Sequence, residues 1–424
     1  MKIIADLHIH SRFSRATSKD LNIKNLENYA KIKGLNLLGT GDFTHPEWIK
    51  ELKQELAEDG SGILKTKTGF NFILQTEISN IYTQDGKGRR IHNIILTKSF
   101  DVVEQINEAL GKKGRLDYDG RPIFGFSCPE LVEMMKKIDE KIEIIPAHAW
   151  TPWFSLFGSM NDFNSVEECF KDQSKHIYAL ETGLSSDPAM NWRLSQLDKY
   201  TLISNSDLHS FWPWRMGREA NVLDINLTYD NLIEAIRTKK GFKETIEVDP
   251  NYGKYHLDGH RNCNICLDPK ESLKNKNICP KCKRSLTIGV LHRVEELADR
   301  PEGFKPKNAV PFKSLIPLSE IISALLNSSV ATKKVWQEYY NLINKFKSEF
   351  HILLDADKEE LSKATHEKIA DAIIKIRHGN IKIKPGYDGV YGQPILNDVI
   401  KENDMDNKDK NPQNRKQKGL SEFI

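Results

Sequence analysis

No stretch of these 424 residues stays apolar over a membrane-spanning length, so the sequence offers no helical anchor. The first residues read as a strand rather than a signal peptide, and an intracellular protein with no membrane partner is expected. An excess of one charge is also missing. Lys+Arg 62 against Asp+Glu 59 leaves only +3, so a polyanionic partner would have to be held by local patches. Cysteine is scarce, with 6 residues, and an intracellular chain does not commit them to disulfides.

Four of those cysteines are nevertheless ordered. Cys263, Cys266, Cys279 and Cys282 follow C-x2-C-x12-C-x2-C, which predicts one structural zinc held by four thiolates in a ribbon. Cys128 and Cys169 stand alone and read as buried thiols. Before the ribbon, seven apolar runs alternate with segments of helical spacing: 2–10, 35–42, 71–79, 90–98, 142–150, 177–183 and 200–207. Alternating strands and helices predict a parallel sheet, and seven units are enough to close a barrel. The expected organisation is α/β: a barrel over 1–245, a zinc ribbon over 246–305, a helical region over 306–400 and a disordered tail over 401–424. Residues 251–294 carry nine Lys/Arg and three Asp/Glu, so the ribbon is a candidate phosphate-backbone contact.

The first run ends in DLHIH. On a strand, Asp6, His8 and His10 would share one face. Most later histidines and carboxylates also fall at or just past the end of a run: Asp42 and His45, Glu77, His148, then Asp207 and His209. His92 is the exception, near the start of the fourth run. In a parallel barrel the C-terminal strand ends form one face, so this set predicts a multinuclear metal site. His8, His10 and Asp207 would flank one ion, and His92 and His148 a second, with Glu77 bridging. Asp42, His45 and His209 would hold a third. The ions would be Zn2+, with Mn2+ or Mg2+ as alternatives. Asp207, Glu77 and His10 are the expected catalytic centre, and Arg15 is a candidate phosphate clamp.

HxH on the first strand, Asp with a nearby His after the second, single Glu, His and His, then D-x-H on the last resemble the polymerase-and-histidinol-phosphatase (PHP) family. That resemblance implies a seven-stranded barrel hydrolysing phosphate esters with up to three metal ions. Two stretches depart from the family pattern: Arg15 stands where an acidic residue is usual, and the second motif is stretched to GDFTH.

The sequence of modules, from this barrel through GKYHLDGHRNC, the cysteine ribbon and a helical segment to a charged tail, resembles the endonuclease Q family of archaeal repair nucleases. It implies nicking of single- or double-stranded DNA, on the 5′ side of deaminated bases (uracil, hypoxanthine, xanthine) and abasic sites, by a nucleoid-associated enzyme. Gln417, Leu420, Phe423 and Ile424 resemble a sliding-clamp (PCNA) binding motif, with Leu420 and Phe423 on one helical turn. An extruded base would need a pocket. Trp153, Phe154, Phe211, Trp212 and Trp214, which follow metal motifs, and Ser185 and Ser186 of the GLSSDP loop, are its candidate lining. Competing readings are a small-molecule phosphatase and a DNA- or clamp-binding scaffold without catalysis.

Overall fold

The computed structural model describes residues 2–396; the candidate clamp motif at Gln417, Leu420, Phe423 and Ile424 lies outside the described residues. All seven apolar runs contain a strand: β1 (Lys2–Asp6), β2 (Leu37–Gly39), β3 (Asn71–Gln84), β4 (Lys87–Thr97), β5 (Glu143–Pro146), β6 (Ala179–Glu181) and β7 (Thr201–Ile203). Three more complete the frame: β8 (Ala220–Asp224), β9 (Phe242–Glu247) and β10 (Phe312–Ser314).

The expectation of a parallel sheet is corrected: the sheet is mixed. β1, β2 and β3 run parallel, with Ala5 opposite Leu37 and Leu37 opposite Asn71. β3 and β4 instead form an antiparallel hairpin, and β5 pairs antiparallel with β4. The hairpin turns at Asp85-Gly86, both at positive φ (52° and 75°), as a two-residue turn requires. β6 and β7 form a separate parallel pair. On the far side, β8 pairs antiparallel with β1 and with β9, and β10 adds parallel to β9. The 245 boundary therefore falls inside β9, and the sheet takes back β10 after the cysteine-bearing segment.

Strand alternation separates two cores. Ile3, Ala5, Leu37, Ile73, Ile94, Ile145, Ala147, Ala179 and Ile203 belong to one buried cluster to which the seven runs all contribute. Their neighbours Ile4, Leu38, Phe72, Leu74, Ile95 and Ile144 face a second cluster, shared with the helices. Those helices start where the sequence supplies caps: Asn22 for Ile23–Lys33, Ser99 for Phe100–Gly111, and a Ser127/Glu130 capping box for Cys128–Ile138.

The C-terminal helices include Leu318–Leu325, Lys333–Phe346, Glu349–Leu354 and Glu367–Arg377. They lock onto the first helix through the fully buried pair Lys33 Nζ–Glu349 Oε1 at 2.7 Å. The segment after them forms an antiparallel hairpin, Lys382–Lys384 with Gln393–Ile395, whose loop meets Leu257 through Tyr387. No helix of the described residues is long and apolar enough to cross a membrane.

Candidate active site

β1 stops at Asp6, whose carboxylate accepts the amides of Ser206 (3.0 Å) and Gly217 (3.1 Å). Asp6 thus ties the β7 end to β1, while the chain beyond it carries His8 and His10 inward, joined to the β7 end by the His10 N to Leu208 O bond of 3.0 Å. Glu77 lies mid-strand rather than at a strand end, because β3 runs on to Gln84. The antiparallel hairpin also explains His92. Its position early in β4 pairs it with Ser79 of β3, two residues past Glu77.

Two groups of ligand atoms result, each with its atoms within 4.8 Å of one another: His8, His10 and Asp207, and Glu77, His92 and His148. Glu77 stands between them. Its Oε2 lies 3.2 Å from His10 Nε2, and its Oε1 lies 2.9 Å from His92 Nδ1, 3.3 Å from His148 Nε2 and 3.7 Å from His8 Nε2. Asp207 Oδ1 is 3.2 Å from His10 Nε2 and 3.8 Å from His8 Nε2. His8 Nε2, His10 Nε2 and Asp207 Oδ1 are buried and make no hydrogen bond. Behind them, His8 Nδ1 donates to Glu181 (3.0 and 3.1 Å) and His10 Nδ1 to Asp42 (2.9 Å). An imidazole held on one nitrogen by a carboxylate, with the other nitrogen free, is the arrangement of a metal ligand. The residues present therefore fit divalent cations.

The electrostatics agree. Burial alone would discharge His8 and His10, but Glu181 and Glu77 around the first, and Asp42 and Asp207 around the second, raise both pKa values well above the imidazole range. This pocket draws positive charge onto those nitrogens. Burial pushes His92 down to about 4, leaving a neutral imidazole with a lone pair to offer. Burial would raise Glu77, but the charges of Arg121 and His8 hold it well below the carboxylate range.

Backbone strain gathers here as well. Asp42 (φ 43°), His148 (φ 32°) and Asp207 (φ 47°) all sit in the left-handed region, which costs roughly 1–3 kcal/mol each. Gly183 makes room for one of them, since a Cβ there would stand 2.7 Å from His148 Cβ.

The third set, Asp42, His45 and His209, is not brought together. Asp42 is occupied by His10, Ser11 and Ser14. His45 caps a helix by accepting from the Glu47 amide and stacks on Phe13. His209 Nδ1 donates to the Asp207 carbonyl at 2.8 Å, with its ring against His10. Arg15 is also displaced from its expected role. It is exposed and pairs with Asp119, whereas Arg121, unmarked in the sequence, holds Glu77 Oε2 at 3.0 Å.

Both groups open into a cleft of about 670 Å³ lined by His92, Arg121, His148, Asp207 and His209, and by Trp153, Phe154 and Ser185 among the expected pocket residues. Ser186 does not reach it; its hydroxyl donates to Thr182 O. Phe211, Trp212 and Trp214 are not in the cleft lining either. Trp212 and Trp214 stack at 5.2 Å and pack on Trp336 of the C-terminal helices, and Phe211 packs against Trp212. They are interface packing.

In the cysteine-bearing segment, the ligand atoms of His260, Cys263, Cys279 and Cys282 lie within 4.8 Å of one another, with Cys282 Sγ 3.6 Å from His260 Nδ1. Ligands of a tetrahedral zinc stand about 4 Å apart, so this group fits one ion. Cys266 is outside it, on the hairpin opposite Gly259.

Residues 317–380 match the family described as the MJ0043 C-terminal domain. The chain is 36% identical over 252 residues to protein MJ0043 of Methanocaldococcus jannaschii, and the match spans 31% of that longer protein. The crystal structure of the lesion-specific endonuclease PfuEndoQ from Pyrococcus furiosus superposes with a TM-score of 0.84 at 32% identity, covering 93% of this chain and 95% of that one. The chain belongs to the endonuclease Q family. A second endonuclease Q structure, in complex with a 27-mer duplex carrying an abasic lesion at the active site, matches with the same score and identity, over 94% of this chain and 97% of that one. The cleft with its two ligand groups is accordingly the candidate active site of a metal-dependent nuclease.

Proposed function

We propose that this protein is a DNA repair endonuclease that hydrolyses the phosphodiester on the 5′ side of a damaged nucleotide, an abasic site or a deaminated base, and leaves 3′-hydroxyl and 5′-phosphate ends. The observation that carries this reading is the pair of ligand groups, joined by the buried Glu77 and opening into one cleft, in a chain matching endonuclease Q along nearly its whole length. The shared inner core and the contacts that carry β5 to β6 and β7 to β1 support a closed PHP-type barrel as its frame.

His8, His10 and Asp207 would hold one ion and His92 and His148 another, with Glu77 between. Two such ions bring water towards ionisation near neutral pH and stabilise both the entering and the departing oxygen of an in-line displacement. The chain supplies the rest. Glu181 and Asp42 fix the imidazole tautomers and ring angles. Arg121 braces Glu77 and turns a guanidinium to the cleft. Trp153 and Phe154 offer aromatic surface where an extruded base would stack. The ribbon zinc is assigned to His260, Cys263, Cys279 and Cys282, and the basic ribbon to backbone contact. The tail motif would tether the enzyme to a clamp; a peptide of residues 417–424 should bind one, and its Phe423→Ala form should not.

The test is a set of labelled duplexes, each with a single uracil, hypoxanthine, xanthine or abasic site. Nicking 5′ of the lesion, far faster than on the matching normal base, is expected. Equal rates on normal duplexes, or release of inorganic phosphate from a small monoester in their place, would overturn the reading.

A further inference from the structure

One wall of the cleft has no part in the metal groups. Asp207 is the one carboxylate among the residues lining the cleft, whereas Arg121, Arg215, Arg218 and Lys254 all line it. A chain with a net charge of only +3 has therefore concentrated cations at one place. Two of them stand out. Arg218 donates through Nε and Nη2 to the Ser206 carbonyl (3.3 and 3.1 Å), the residue before Asp207. Arg215 sits beside it and, among the described residues, makes no side-chain hydrogen bond or ion pair. The nearby acid, Glu320, lines a small pocket behind this wall and is engaged by the Tyr252 hydroxyl. Two adjacent guanidinium groups repel each other; Glu219 and Asp207 beside Arg218 and Glu320 behind the wall offset part of that repulsion, and an anion arriving from the cleft would offset more of it.

The rim above them is built by a remote stretch of chain. Gly386, Gly389 and Gly392 donate their amides to the carbonyls of Asn251, Lys254 and Tyr252 (2.8, 2.8 and 3.1 Å). A Cβ at Gly392 would stand 2.1 Å from Asn251 O, so the docking depends on glycine there. This fastening holds Tyr391, 49% exposed, at the cleft, with Lys254 Nζ 5.7 Å from its ring. Lys254 lies equally over Tyr255 (5.6 Å), and Tyr255 meets Trp153 edge-on at 5.1 Å. Cations at the base and a free aromatic face at the rim are the two parts of a single-nucleotide site.

We propose that Arg215, backed by Arg218, binds a DNA phosphate neighbouring the scissile one, and that Tyr391 stacks on the nucleotide attached to it. The inference rests on the DNA-cleaving assignment for its ligand but not for its test. Binding is measured in the Asp207→Asn protein, which needs no cleavage, with a single strand and with a lesion duplex over a range of salt. Arg215→Gln should weaken binding several-fold and lower the slope of log affinity against log salt by about one, the signature of one lost phosphate contact. Arg215→Lys should keep the slope. Tyr391→Phe should keep affinity for the single strand and Tyr391→Ala lose it about tenfold, as loss of one base stack implies. A slope in Arg215→Gln equal to that of Arg215→Lys would overturn the phosphate assignment, and equal affinities for Tyr391→Ala and Tyr391→Phe the stacking one. Failure of the wild type to nick damaged DNA would leave both readouts intact.

Discussion

His8 Nδ1 and Glu181 are held together at 3.0 Å with both side chains wholly buried, and the same carboxylate accepts the His148 amide (2.7 Å) and Asn205 Nδ2 (2.9 Å). One side chain thus orients a member of each ligand group. Glu181 is a positioning residue. Glu181→Gln keeps the shape but weakens the hold on the imidazole proton, so metal affinity should fall about 10- to 100-fold. Calorimetric metal titration checks this directly, and activity should return at high metal concentration. Activity lost at every metal concentration would contradict a positioning role.

The His260, Cys263, Cys279 and Cys282 group makes a separate prediction about zinc content. His260→Ala should release the ion and unfold the ribbon locally, whereas Cys266→Ser should retain one equivalent, because Cys266 lies outside the ligand group. X-ray absorption should show three sulfur ligands and one nitrogen. Zinc loss from Cys266→Ser with retention in His260→Ala would restore the four-thiolate assignment drawn from cysteine spacing.

Stability should depend on pH through Glu247, on β9. Burial pushes its pKa up from 4.5 to about 8, against hydroxyl contacts from Thr245, Ser204 and Thr182. The folded state keeps this proton to higher pH than the unfolded chain. The stability it contributes is therefore complete below about 4.5 and lost as pH rises through about 8. Glu247→Gln cannot ionise, so its unfolding midpoint should fall less than that of the wild type between about pH 5 and about pH 9. Parallel profiles would show that Glu247 is not the group responsible.

The junction between the first helix and the C-terminal helices rests on a buried charge. Lys33 Nζ bonds Glu349 and the Pro213 carbonyl (2.9 Å), and Pro213 lies in the loop that leads to Arg215. Lys33→Ala would strand Glu349 without its cation and should cost about 3–5 kcal/mol in denaturant unfolding. Replacing both partners together should cost less than the single change.

Much of this molecule is legible in its sequence. Each apolar run contains its strand, and the ligand residues of both groups were spaced along those runs. Strand direction was not legible from periodicity, which is the same for parallel and antiparallel strands. The signal that decides it, Asp85-Gly86 between the third and fourth runs, is only two residues long, yet it moves His92 to the right end of the sheet. Glu181 stands two residues before the end of its run, as Glu77 does in its own, and that pattern could have revealed it. Arg121, Arg215 and Tyr391 sit in loops without periodicity, where only the folded chain shows which residues meet. The aromatics after Asp207 read as a base pocket because nothing in the sequence shows that Trp336 would cover them.

The most direct test of the account is cleavage of a labelled duplex bearing one abasic site by protein first stripped of metal and then reloaded. The account predicts no product from the stripped protein. After metal is returned it predicts a single nick on the 5′ side of the lesion with a 3′-hydroxyl end, and no product from the Asp207→Asn variant under either condition. Nicking by the stripped protein at the full rate, or by Asp207→Asn as fast as by the wild type, would contradict it.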